Sequence, residues 1–259
     1  MKILFVGDIM GSAGRQAFLD LAIPLKNEGK VDMIIVNGEN AAAGKGITTK
    51  IAKEFFAAGA DVVTLGDHTY DQREVMPYLN EEPRIIRPAN FAPGCPGHGF
   101  VTVDTGCGKV NVISLVGRVF MNPYDCPFRK ADLLLNQLPK NIPTFVEIHA
   151  EATSEKMAMG HYLAGRVTAV VGTHTHVQTS DEKILQGHTA YLTDAGMTGA
   201  KDSVIGCEKA DILKRFLTGL PVRFEPAKGD CSLEGLIVTC DSHGGKATAV
   251  ERLRIPHHG

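Results

Sequence analysis

Short apolar runs recur along the chain, and the spacing between them alternates. The run at 3–6 is followed by Phe18, Leu21, Ala22 and Leu25 at helical spacing, which predicts a helix over Arg15–Lys26. The run at 33–36 leads through a glycine-bearing loop to a helix over Thr49–Ala58, and the run at 62–65 leads to a segment at 71–80. Strand and helix in alternation imply a parallel sheet with crossover helices. Pro88 to Gly99 is rich in Pro and Gly and reads as a loop. Phe100–Val103 and Val110–Val116 then read as paired strands about the Gly106-Cys107-Gly108 turn. A helix over 129–138, a strand over 144–148, a helix over Ser154–Leu163 with Thr153 as its N-cap, and a strand over 167–171 follow. The last third predicts strands at 184–185, 189–193, 222–225, 233–239 and 246–253, with a helix over Ala210–Leu217. No repeat or linker interrupts the pattern. The expected fold is α/β, a two-sheet sandwich core flanked by helices, with residues 1–259 forming a single domain.

The ends of the buried runs carry the chemistry. Strand 3–6 ends before Asp8, 33–36 before Glu39-Asn40, 62–65 before Asp67-His68, 144–148 in His149, and 167–171 before His174 and His176. Residues i and i+2 of an extended chain point the same way, so the last two imidazoles converge. Ligands of open α/β sheets sit beyond the carboxyl ends of the strands. Five such ends offering nitrogen and oxygen donors read as a metal site, and the number of donors suggests two ions. Each residue also has a plainer reading: Asp8 as a helix N-cap near Gly11, Glu39 and Asn40 as solvated turn residues, and His68 and His149 as hydrogen-bonded histidines. Glu147 and Glu151 flank His149 and are placed to orient imidazoles.

Composition narrows the class. Net charge is −2, so no general field attracts a polyanion. No apolar run has the length of a bilayer span, and Asp8 breaks the opening MKILFVG too early for a signal peptide. Six cysteines without a C-x-x-C pair predict reduced thiols and a cytoplasmic setting. Two nucleotide-site lookalikes fail. The glycines after Gly7 lack dinucleotide spacing and carry Asp8 where pyrophosphate would approach. Gly44-Lys45 is followed by Gly46 in place of Ser or Thr.

The ordered set Gly7-Asp8, Gly38-Glu39-Asn40, Gly66-Asp67-His68, His149 and Gly172-Thr173-His174-Thr175-His176 resembles the calcineurin-like metallophosphoesterases. Gly38–Ala42, His149–Lys156 and Gly172–Gln178 further resemble their YmdB-type bacterial phosphodiesterase branch, over essentially the whole chain. The resemblance implies a dinuclear centre of iron or manganese type, with zinc as the alternative. One ion would be held by Asp8, Glu39, Asn40 and His176, the other by Glu39, Asp67, His149 and His174, with Glu39 bridging. His68 would be the general acid. The implied activity is hydrolysis of cyclic nucleotides (2',3'- or 3',5'-) or related phosphodiesters by a bridging hydroxide. A homo-oligomer without a membrane association is expected, and a link to RNA is left open.

Two positions depart from the pattern. Met10 stands where the wider superfamily carries a histidine, and Asp67 stands where the branch carries asparagine. An ionised Asp67 adds a third carboxylate and leaves two divalent ions with a net charge of about +1 in place of +2. Three rivals stand beside the phosphodiesterase reading: a phosphomonoesterase or nucleotidase using the same centre, a nucleotide- or RNA-binding regulator whose centre is weakened by Asp67, and a metal-storage or structural metalloprotein.

Overall fold

A computed structural model of the protein describes residues 1–258. The chain runs β1 (Lys2–Val6), β2 (Asp8–Ile9), α1 (Gly11–Ala17), α2 (Ile23–Asn27), β3 (Met33–Asn37), α3 (Thr49–Ala58), β4 (Val62–Thr64), α4 (Met76–Glu81) and β5 (Ile85–Ile86). It continues through β6 (Phe100–Asp104), β7 (Lys109–Val116), α5 (Pro127–Gln137), β8 (Thr144–His149), α6 (Thr153–Leu163), β9 (Ala169–Thr173), β10 (Lys183–Leu185) and β11 (Thr189–Leu192). Last come β12 (Met197–Ala200), α7 (Lys209–Thr218), β13 (Cys231–Cys240) and β14 (Ala247–His257).

The strands form two sheets. One is ordered β2-β12-β13-β1-β3-β4-β5 with β14 beyond β13, the other β10-β11-β9-β8-β7-β6. Pairing is parallel from β1 through β3 and β4 to β5, and from β7 through β8 and β9 to β11. Side chains of period two decide which layer each residue enters. From β1, Ile3 and Phe5 point between the sheets, with Met33, Ile35, Val112, Phe145 and Val171. Phe5 stacks on Phe145 with ring centroids 5.5 Å apart. Leu4 and Val6 point the other way, into a layer with Phe18 and Phe55 of the first helices. A third apolar layer joins Ile113, Val146 and Ile148 to Met159 and Leu163 of α6. The expected α/β two-sheet core flanked by helices is the fold observed.

Several boundaries differ from the sequence reading. The first helix starts at Gly11 and runs to Asn27, widening to a π-turn at Phe18–Ala22. Pro24 explains the widening, since it lacks an amide hydrogen and crowds the carbonyl four residues back. The strand expected at 167–171 lies two residues later, so His174 follows it without a gap. Ala152, not Thr153, is the N-cap of α6, with no side-chain bond. The expected strand at 222–225 is absent: Pro221 and Pro226 bracket a largely exposed stretch in which no strand is formed. β2, β5 and β12 were not expected, being only two to four residues long. All six cysteines are unpaired. Among the described residues, no helix is long and apolar enough to cross a membrane.

Candidate metal centre

β3, β4, β8 and β9 run parallel within their sheets, and their carboxyl ends meet at one rim. His149 ends β8 and is fully buried. Its Nε2 lies 2.9 Å from Glu39 Oε1, 3.1 Å from Asp67 Oδ1 and 2.9 Å from His174 Nδ1. The four donor atoms all fall within 4.8 Å of one another. One ring nitrogen cannot hydrogen-bond three partners at once. Separations near 3 Å are those of neighbouring donors about 2.1 Å from a shared six-coordinate ion.

Proton bookkeeping supports the same conclusion. Thr173 Oγ1 donates to Glu147 Oε1 at 2.9 Å, which leaves the hydroxyl oxygen to accept from His149 Nδ1, also at 2.9 Å. Asn37 Nδ2 fixes the same Glu147 oxygen at 2.6 Å. His174 Nε2 faces Glu151 Oε2 at 3.2 Å. Both rings thus have their outward nitrogens engaged, and their inward nitrogens, His149 Nε2 and His174 Nδ1, turn toward each other and toward the two carboxylates. Burial works against positive charge at His149, but those carboxylates favour it and hold the imidazole well above its ordinary range. A cation in the cluster would answer the same demand for positive charge and free both inward nitrogens to act as ligands.

A second group sits alongside. Asp8, on β2, is fully buried, and its Oδ1 has no hydrogen-bond partner. Its Oδ2 accepts from the His174 amide at 3.1 Å. His176 Nδ1 donates to the Ile205 carbonyl at 2.9 Å, so Nε2 bears a lone pair. That nitrogen faces Asn40 Oδ1 at 3.3 Å, an acceptor whose amide nitrogen is already donating to Gly44. An orphaned buried carboxylate oxygen and two acceptors in opposition fit a second cation. The N-cap alternative for Asp8 fails, because α1 is capped at Met10.

Local backbone explains how these groups approach so closely. A Cβ on Gly66 would collide with Glu39 Oε2 and the His149 ring, so the loop after β4 passes there only as glycine. His174 and His176 hold φ values of 96° and 62°, which side-chain-bearing residues seldom adopt. Thr175 between them is tied by its amide and hydroxyl to Asp194 Oδ2, and that carboxylate pairs with buried Lys156 at 2.6 Å. Nothing in the sequence spacing pointed to Asp194 or Lys156.

Electrostatics follow from this crowding. Burial opposes ionisation of Asp67, but the hydrogen bond and charge of His149 prevail and hold its carboxyl well below the usual range. Burial likewise works against Glu39, whose carboxyl is also held low by His149. Asp8 has only weaker cationic neighbours, and burial pushes it up to about 6. Glu147 is pushed up to about 7, again by burial. His174 is lowered to about 4 by burial and by repulsion from His149.

His68 lies at the rim, outside the four-residue cluster. Its amide donates to Glu39 Oε2 at 3.2 Å and its Nδ1 meets Asp71 Oδ2 at 3.0 Å. Asp71 and the aromatic side chains beside Asp67 were not singled out in the sequence.

A two-sheet α/β sandwich with carboxylates and imidazoles gathered at the strand ends has the architecture of the metallophosphoesterases. The chain belongs to the YmdB-like protein family, which matches residues 4–253. It is 47% identical to a "2',3'-cyclic-nucleotide 2'-phosphodiesterase" of Bacillus subtilis, across 98% of this chain and 97% of that one. Its fold is similar to the crystal structure of a hypothetical protein from Thermus thermophilus (TM-score 0.93, 41% identity, 99% of each chain). It is also similar to that of a novel phosphatase from Mycoplasma pneumoniae (TM-score 0.93, 31% identity, 100% of this chain and 94% of that one).

Proposed function

We propose that this protein is a metal-dependent phosphodiesterase that opens nucleoside 2',3'-cyclic phosphates. One observation carries the reading: His149 Nε2 is met at 2.9–3.1 Å by a carboxylate of Glu39, a carboxylate of Asp67 and an imidazole of His174. The substrate is suggested by the Bacillus relative, whose name specifies the cyclic 2',3'-diester.

Glu39, Asp67, His149 and His174 would hold one ion, and Asp8, Glu39, Asn40 and His176 the other. The donors are nitrogen and oxygen without thiolate, which suits iron or manganese and also admits zinc. When bound, such ions neutralise phosphate charge and acidify water. His68 is the proposed proton donor. Asp71 engages its Nδ1, and Nε2 is left for the substrate. Water oxygen bonds to phosphorus, the bond from phosphorus to O2' breaks, and the His68 proton passes to O2'. The proton lost by water replaces it. The product is a nucleoside 3'-monophosphate. A homo-oligomer, a single domain over 1–259 and a reducing cytoplasmic setting belong to the same reading. The unpaired cysteines accord with the last of these.

Chelation should abolish turnover of 2',3'-cyclic AMP, with recovery on adding Mn or Fe. His68→Ala should lose about 10²–10⁴-fold in kcat while keeping its metal. Metal loss in that variant would make His68 a ligand. Faster hydrolysis of 4-nitrophenyl phosphate than of bis(4-nitrophenyl) phosphate would favour a phosphomonoesterase instead.

A further inference from the structure

We propose that the hollow beside Asp67, walled by Tyr70, Phe91 and Tyr124, receives the base of the nucleotide whose phosphodiester is cut. The inference rests on the phosphodiesterase reading and deepens it. It assigns a specificity site to residues outside the metal cluster.

The cavity has a volume of about 320 Å³ and is also lined by Ala92, Cys95, Pro123 and Asp125. That lies at the small end of the ~300–1,000 Å³ usual for organic ligands and suits one ring system. Asp67 belongs to both places: it lines the hollow, and its Oδ1 is 3.1 Å from His149 Nε2. In a nucleotide one sugar separates base from phosphate. A phosphodiester seated at the cluster therefore brings its base to the neighbouring hollow.

The walls present aromatic faces. Phe91 stacks on Tyr124 with centroids 4.9 Å apart and planes 20° from parallel, and Tyr70 meets Phe91 at 5.8 Å. Phe91 is itself nearly buried, whereas Tyr70 and Tyr124 remain partly open. A planar heterocycle laid against this group extends an existing stack, which every base can do.

Both walls are fixed before any ligand arrives. The side-chain amide of buried Asn90 donates to the carbonyls of Val116 and Asp125, each at 2.8 Å, and the backbone carbonyl of Asn90 accepts from the Asp125 amide. This pins the stretch that carries Tyr124. On the opposite side, Arg87 donates to the carbonyls of Pro96 and Cys95, and Tyr70 donates its hydroxyl to Pro96 at 2.7 Å. Two buried polar side chains, Asn90 and Arg87, are thus spent on shaping the rim of the hollow. Rigid walls lower the ordering cost of binding.

The test compares 2',3'-cyclic AMP with glycerol 1,2-cyclic phosphate, which keeps the strained diester and lacks a base. Wild type should favour the base-bearing substrate. Tyr124→Ala should lose about tenfold or more of that preference, expressed in KM, while Tyr124→Phe keeps it. Calorimetric titration with 3'-AMP should weaken by a similar factor in Tyr124→Ala. Equal handling of the two substrates by wild type, or an equal loss on both in Tyr124→Ala, overturns the inference and leaves the phosphodiesterase reading standing. Wild-type protein that opens neither ring removes both.

Discussion

The donors around His149 and the donors around Asp8 are held by different means. His149 ends the central strand β8, and its outward nitrogen is locked through Thr173 to Glu147 and on to Asn37 in the first sheet. His176 stands on a turn of positive φ, and its outward nitrogen is locked only to the carbonyl of Ile205, a half-exposed loop residue. The first group closes on itself at about 3 Å, with its carboxylates held ionised. The second leaves one Asp8 oxygen unpartnered and its carboxyl held toward the neutral form. A group braced by two sheets is preorganised for a cation, and a group braced by a loop must be gathered by one. Two sites that share Glu39 should therefore bind their ions with unequal strength.

Removing a donor from each group probes this contrast most severely. His149→Ala should abolish measurable hydrolysis and leave protein with less than one ion per chain. The loss should exceed the roughly 10–100-fold that changes to supporting residues cost at metal sites. Asp8→Ala should lose nearly as much activity yet retain about one ion. Metal content by mass spectrometry separates the two. Stepwise titration of the wild type with a chelator should likewise release one ion before the other. Release of both in one step would break the comparison.

What the sequence made legible follows the same division. Asp8, Glu39, Asp67 and His149 could be found because each ends or follows a continuous apolar run, and a strand end fixes where a side chain emerges. The parallel sheet was legible for the same reason, from continuous apolar runs such as Ile3 to Val6 that alternate with segments of helical spacing. Short or loop-borne parts were not. β2 and β12 have too few residues to show a period, although their pairing sets Asp8 opposite Met197. The exposed stretch 222–225 alternates like a strand but has no partner edge. Asp194, Lys156, Asn90 and Tyr124 act through contacts across long stretches of chain, and no local pattern records those. The donor set follows from the family resemblance, and its supports follow from the fold.

Asp67 tests how much of the tighter group's character comes from charge. Asp67→Asn keeps an oxygen at the position that faces His149 Nε2 and removes one negative charge. The net charge of two divalent ions with their carboxylates rises from about +1 to about +2. We expect a several-fold lower KM for anionic substrate and a shift in the ratio of metals bound, with the fold intact. Unchanged kinetics and unchanged metal content would show that the third carboxylate has no electrostatic consequence.

The mildest probe acts on the brace behind the histidine turn. Asp181 accepts from the Thr193 amide at 3.1 Å, the Thr193 hydroxyl at 2.6 Å and the Thr179 hydroxyl at 2.8 Å. Asp194, next to Thr193, holds Thr175 between the two histidines. Burial alone would raise the Asp181 carboxyl, but the Thr193 and Thr179 bonds prevail and keep it below its usual value near 3.8. A carboxyl lowered by folding stabilises the fold fully above its unfolded pKa and loses that contribution as pH falls through the folded value. Asp181→Asn should therefore cost about 1 kcal/mol at pH 7 after allowance for solvent screening. That corresponds to roughly 2–4 °C in Tm for a chain of this size. The gap between variant and wild type should narrow as pH drops below about 4, where the wild-type carboxyl protonates as well. If this brace serves the looser group, the same variant should release the weaker-held ion at a lower chelator concentration while the ion around His149 stays. A Tm gap that is constant from pH 7 to pH 3 would remove the charge from this account and leave only the shape of the loop.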